Sequence, residues 1–137
     1  MSMPLHPTPL LRLALLGDAI ASGATGLLLA GGAAYLTNIL GLPEPLMRNA
    51  GFFLLPYAAF VGYVGTRARL STGMIWMIII ANTIWAVESI VLLVGGWVSP
   101  TTLGASFIVA QALVVAGFAE AQWLGLRKSN TRVSVGT

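Results

Sequence analysis

Gly17-Asp18-Ala19-Ile20-Ala21-Ser22-Gly23-Ala24-Thr25-Gly26 places a carboxylate inside a long apolar run. A charge in hydrocarbon costs several kcal/mol, so Asp18 needs shelter or a partner. Its neighbours are nearly all small, and small residues let another helix come close enough to shield it from lipid. At about 100° per residue, Asp18, Ser22 and Thr25 fall on one stripe, with Ala14, Ala21 and Gly32 beside it. This stripe reads as the inward face of a membrane helix, and the rest of the chain supplies the walls around it.

Composition supports that reading. The 137 residues are 57% hydrophobic and 8% charged, with a mean hydropathy of +0.88. A soluble domain carries about 25% charged residues, so the solvent for this surface must largely be lipid. The length suits one unit, residues 1–137, without a separate soluble domain. The net charge of +3 and pI of 10.0 are best read as topology signals at helix ends, and no nucleic acid is expected as a partner. With no cysteine, disulfides, thiolate metal sites and thiol catalysis are excluded.

Pro4, Pro7 and Pro9 keep the start of the chain from being helical. His6, the one histidine, sits there and is expected to be solvated. Pro9 is placed to open a helix, where its missing N–H costs nothing. Four spans are expected, at about 10–39, 49–66, 74–97 and 101–126. Arg12 before an apolar stretch, with Ala21-Ser22-Gly23 after it, looks like a signal peptide. The run continues through Leu27, Leu28 and Leu29, so the first span is read as retained. Gly41 to Pro45 breaks it. Pro56 lies mid-span in the second and suggests a kink. The third holds Asn82, Glu88 and Ser89; Asn82 and Ser89 share a stripe, and Glu88 lies about 120° away with Trp85 between. In the fourth, Gln111, Phe118 and Gln122 share a face, and the polar tail to Thr137 is expected to be poorly ordered.

Four spans put both termini on one side. Arg12, Arg67, Arg69, Arg127, Lys128 and Arg132 share that side and Arg48 lies on the other, which makes it the cytoplasmic one. The expected architecture is an all-α, polytopic four-helix membrane bundle in a cell membrane, the inner membrane if the source is bacterial. A shift of 55 residues superposes Gly41 on Gly96, Pro45 on Pro100, Phe52 on Phe107 and Gly62 on Gly117. Duplicated hairpins would give this match; so would the Gly and Pro found at any membrane hairpin.

At ~1.5 Å per residue, Asp18 lies ~12 Å into the first span, near the middle of a ~30 Å core. Tyr57, Asn82 and Gln111 come out level with it, and Glu88 lies further out, level with Thr25. The candidate ligand- or proton-binding residues are therefore Asp18, Ser22, Thr25, Tyr57, Asn82, Glu88 and Gln111. No Arg, Lys or His is expected at that depth. Each acid is then protonated and hydrogen-bonded as glue between helices, or binds a cation or amine, or faces water. Met74 and Met77 share a face and read as packing. Gly17, Gly23 and Gly26 suit a dimer seam or contacts within the bundle. With no phosphate-cradling loop, metal-ligand spacing or nucleophile–base pair, neither an enzyme, a metal nor a cofactor is expected.

In size and span count the chain resembles the small multidrug-resistance exporters, which use one carboxylate in the first of four spans. Asp18 is the matching position, and the likeness does not extend to that family's surrounding sequence pattern. Two readings of function follow. One is a small carrier or channel-like protein, a homo-oligomer, in which a mid-membrane carboxylate binds a proton, cation or amine. The other is an accessory or lipid-interacting subunit that stabilises a larger membrane complex, with membrane lipids as its other partners.

Overall fold

The computed structural model describes the chain from Pro4 to Gly136 apart from His6, with side chains from Pro7 to Ser129. Four helices dominate it: α1 (Pro9–Leu40), α2 (Glu44–Thr66), α3 (Thr72–Val94) and α4 (Thr102–Gly136). Thr8 caps α1, accepting from the Leu11 N–H with Pro9 in the first turn, as the Pro9 spacing predicts. α2 begins at Glu44, ahead of the expected start of the second span, and runs unbroken through Pro56. α4 continues past Leu126 and through the basic cluster. The polar tail is thus helical as far as Gly136. His6 lies outside the described residues, as does the side chain of Arg132.

Three of these helices are long and apolar enough to cross a membrane: Pro9–Leu40, Thr72–Val94 and Thr102–Ser129. The protein is an all-helical bundle compatible with a multi-pass membrane protein. α2 stands apart because it carries Glu44, Arg48, Asn49 and Pro56.

The chain also forms two short strands, β1 (Pro4–Leu5) and β2 (Leu70–Ser71). They pair antiparallel, Pro4 with Ser71 and Leu5 with Leu70. The apolar period of the flanking helices conceals so short a pairing. The start of the chain is held to the α2–α3 link by this ladder, and to α4 by the Thr8 N–H donating to Ser129 Oγ at 3.1 Å. Arg12 donates to the Gly65 and Arg67 carbonyls at 2.6 and 3.1 Å, satisfying acceptors that the end of α2 leaves open. At the opposite end, Thr101 N–H donates to the Leu40 carbonyl at 3.0 Å. The two hairpin turns meet there, each turning on a glycine in the left-handed region, Gly41 at φ 68° and Gly96 at φ 81°. A side chain at either position would strain the turn.

α1 packs on α2 and on α4, and α3 packs on α4. The helices therefore run α2, α1, α4, α3 around the bundle, and α2 faces α3 across a crevice rather than against it. One apolar cluster, including Leu11, Leu15, Val61, Val64, Ile75, Ile78 and Leu126, fills the end that holds the N-terminus. A second, including Leu29, Ala33, Leu40, Met47, Leu54 and Ile108, fills the hairpin end. Gly17 lies against Phe118, Gly23 against Ala58 and Gly26 against Gly51. All three of these small positions are thus used within the bundle. The polar residues sit between the two clusters.

Candidate functional site

Asp18 is buried, 1% exposed, and its carboxylate gathers a side chain from every helix. Ser22, one turn on in α1, donates to Oδ1 at 3.0 Å. Asn82 Nδ2 from α3 and Gln122 Nε2 from α4 donate to Oδ2 at 2.8 and 2.9 Å. Tyr57 from α2 places its hydroxyl 3.3 Å from Oδ2 and 2.7 Å from Asn82 Oδ1. Its single proton goes to the shorter contact. Asn82 Nδ2 gives its second proton to Gln122 Oε1 at 3.0 Å. Amide nitrogens only donate, so Oδ2 serves as an acceptor from both. The donors to the carboxylate among the described residues are neutral side chains. No buried side-chain nitrogen or oxygen among them lacks a hydrogen bond.

Of the candidates read from sequence, Asp18, Ser22, Tyr57 and Asn82 meet in this node. Gln111 does not, and Gln122, wholly buried, takes its place. The cause is geometric. α1 and α4 are antiparallel, and helical side chains lean toward their own N-termini. Asp18 and Gln122 therefore lean toward each other from offset levels. The signal that finds Gln122 was present: it shares a face with Gln111 and Phe118.

Gln111 forms a second node further along the bundle. Its Oε1 accepts from Trp85 Nε1 at 2.8 Å, and its Nε2 donates to Ser89 Oγ at 2.8 Å. Ser89 in turn donates to the Trp85 carbonyl at 2.7 Å. This triangle ties α3 to α4. A cavity of about 50 Å³ lies between the nodes, lined by Asp18, Ser22, Thr25, Trp85, Gln111 and Phe118. That is room for a few water molecules beside polar groups. Thr25 is half-buried and also faces a larger space.

Glu88 stands outside both nodes: Trp85 is committed to Gln111 and Glu88 is exposed. The ~120° offset from the Asn82–Ser89 stripe turns it to the rim of α3. It borders two cavities of about 360 and 430 Å³. The first lies at the hairpin end among Thr25, Leu46, Asn49, Trp85 and Phe107. The second occupies the α2–α3 crevice, between Phe53, Leu54 and Tyr57 on one side and Ala81, Ile84 and Trp85 on the other. Phe53 bridges the crevice, its ring stacked on Trp85 with centroids 5.9 Å apart and planes 10° apart. Among the described residues no group of three or more metal-ligating side chains converges.

The surface fits an interfacial anchoring pattern at the N-terminal end. Arg67 lies over the Tyr63 ring at 5.2 Å and Arg127 over the Trp123 ring at 4.8 Å. Arg48 pairs with Glu44 one turn away at the other end. No protein-family model matches the chain, and neither the curated proteins nor the solved structures show a similar one.

Proposed function

We propose that the chain is a four-span membrane protein with both termini cytoplasmic, whose function is to bind an apolar or amphiphilic small molecule from the bilayer, as a small carrier or lipid-interacting protein does, without covalent chemistry. The observation that carries this reading is the contrast between the two acidic positions. At Asp18 both oxygens accept from neutral donors, so the carboxylate acts as a lock between helices. The open space is at the α2–α3 crevice, where apolar and aromatic walls enclose volumes in the range of small-molecule sites.

Support for α2 as a span comes from its ends. Its start lies beside the hairpin turns and its end beside the N-terminal ladder, and its 23 residues span about 35 Å, enough to cross a hydrocarbon core of about 30 Å. The positive ends agree, with Arg67, Arg69, Arg127 and Lys128 at one end and Arg48 at the other.

Dodecanol, an uncharged single-chain probe, tests the crevice. Native mass spectrometry of the protein released from detergent is expected to retain one dodecanol, and to lose it in Ala81→Phe, whose ring fills the crevice. Equal retention by both proteins places binding elsewhere and sinks the reading. A second reading, an accessory subunit of a larger membrane complex, draws on α3, most of whose apolar surface is exposed in the isolated chain. Gentle extraction that yields only the 14.3 kDa chain or its homo-oligomers speaks against it.

A further inference from the structure

Glu88 has no use in the packing just described. Among the described residues neither a hydrogen bond nor an ion pair engages it. It lies about 9 Å short of the end of α3 at Val94, at ~1.5 Å per residue. Its side chain leans toward the N-terminus of α3, away from that nearer membrane surface. Reaching water by extending toward the surface therefore works against the helix geometry. No residue lining either cavity at Glu88 is cationic, and Arg48, the arginine of that end, is tied to Glu44. A carboxylate among apolar walls calls for an opposite charge brought in from outside.

We propose that the α2–α3 crevice is a binding site for a lipophilic amine, its ammonium group on the Glu88 carboxylate and its apolar part along Phe53, Leu54, Ile84 and Trp85. This inference rests on the crevice reading above and adds the chemical class of the ligand. The walls suit that class in two ways. Phe53, Tyr57 and Trp85 line the crevice as a stacked aromatic group, and aromatic rings attract cations. They also offer an apolar surface that replaces the lipid contacts of an alkyl or aromatic body. A bare divalent metal ion fits poorly, because it needs about six oxygen ligands or more and Glu88 is the one carboxylate lining these cavities. Ser89 and Gln111 are already engaged with each other and with Trp85.

The experiment compares dodecylammonium with dodecanol, the same chain with and without a charge, on wild type, Glu88→Gln and Ala81→Phe, by native mass spectrometry with thermal unfolding as a check on folding. Glu88 is exposed, so Glu88→Gln is expected to fold as wild type. Wild type is expected to bind one dodecylammonium about tenfold more tightly than dodecanol, the order expected of a charge-assisted hydrogen bond. Glu88→Gln is expected to bind both alike, and Ala81→Phe neither. If wild type and Glu88→Gln hold both probes with equal affinity, the role of Glu88 is overturned while the crevice stands. If dodecylammonium depends on Glu88 yet survives Ala81→Phe, the amine sits outside the crevice and the proposal fails. If wild type retains neither probe, the proposal and the crevice reading fall together.

Discussion

Gln122 Nε2 donates to Asp18 Oδ2 at 2.9 Å across 104 positions of sequence. The bond joins the first helix to the last at the depth where the two apolar clusters part. Asn82 bonds to both residues and Tyr57 to Asn82, so one connected network touches all four helices. In a bilayer the helices gain little from hiding apolar surface from one another. A satisfied polar network is then what selects one arrangement of the bundle over its competitors.

That network predicts unequal costs at Asp18. Asp18→Ala leaves the amides of Asn82 and Gln122 without an acceptor and is expected to lose about 1–3 kcal/mol of stability. Asp18→Asn keeps an oxygen facing those amides and turns its nitrogen to the Ser22 hydroxyl, which can rotate to accept. Its loss is expected to be smaller than that of alanine. Gln122→Ala combined with Asp18→Ala is expected to cost less than the two single losses added, because the residues are bonded directly. Denaturant unfolding in detergent micelles measures all four proteins. Equal losses for the Asn and Ala variants would show that the hydrogen bonds at Asp18 contribute nothing.

Much of this arrangement is legible in the sequence, and its gaps have physical causes. Asp18, Ser22, Tyr57 and Asn82 converge because a depth count from the helix start works where the start is marked, as Pro9 and Arg12 mark α1. The same count misplaces Gln111, because α1 is 32 residues long and Asp18, near its start, faces the far part of antiparallel α4, where Gln122 stands. The three readings of Glu88 stay open in the sequence because hydropathy does not say which helices are neighbours. α3 packs mainly on α4 and meets α2 at fewer points, among them Tyr57 with Asn82 and Phe53 with Trp85, and that order exposes the rim on which Glu88 stands. The β1–β2 pairing spans too few residues to leave a period.

Close helix approach makes a second prediction. A Cβ built on Gly51 falls 2.7 Å from the Gly26 carbonyl oxygen and 2.9 Å from Ala30 Cα. Both are backbone atoms, which cannot swing aside. Gly51→Ala is expected to force α1 and α2 apart and cost about 1–3 kcal/mol. Gly31 is the internal control, because a Cβ there meets nothing within 4 Å. Gly31→Ala is expected to be neutral, or stabilising by up to about 1 kcal/mol through helix propensity. A shift in thermal midpoint for Gly31→Ala as large as that for Gly51→Ala would remove the steric argument.

The last prediction concerns α2, which is not among the three helices whose length and composition suit a span. If it crosses, the chain crosses four times and Thr137 shares a side with Met1. If it lies along the surface, the chain crosses three times and the termini part. The pairing of Pro4 with Ser71 and Leu5 with Leu70 favours four crossings, since it holds the N-terminus to the far end of α2. The same holds for Thr8 and Ser129, which join the start of α1 to the distal part of α4. Reporter fusions with opposite compartment requirements, one active in the cytoplasm and one across the membrane, distinguish the two cases at four positions. Fusions after Arg69 and at Thr137 are expected to report the cytoplasm, and fusions in the Gly41 and Ser99 turns the opposite side. A C-terminal fusion that reports the far side would separate the termini and remove α2 from the membrane. The crevice it forms with α3 would go with it.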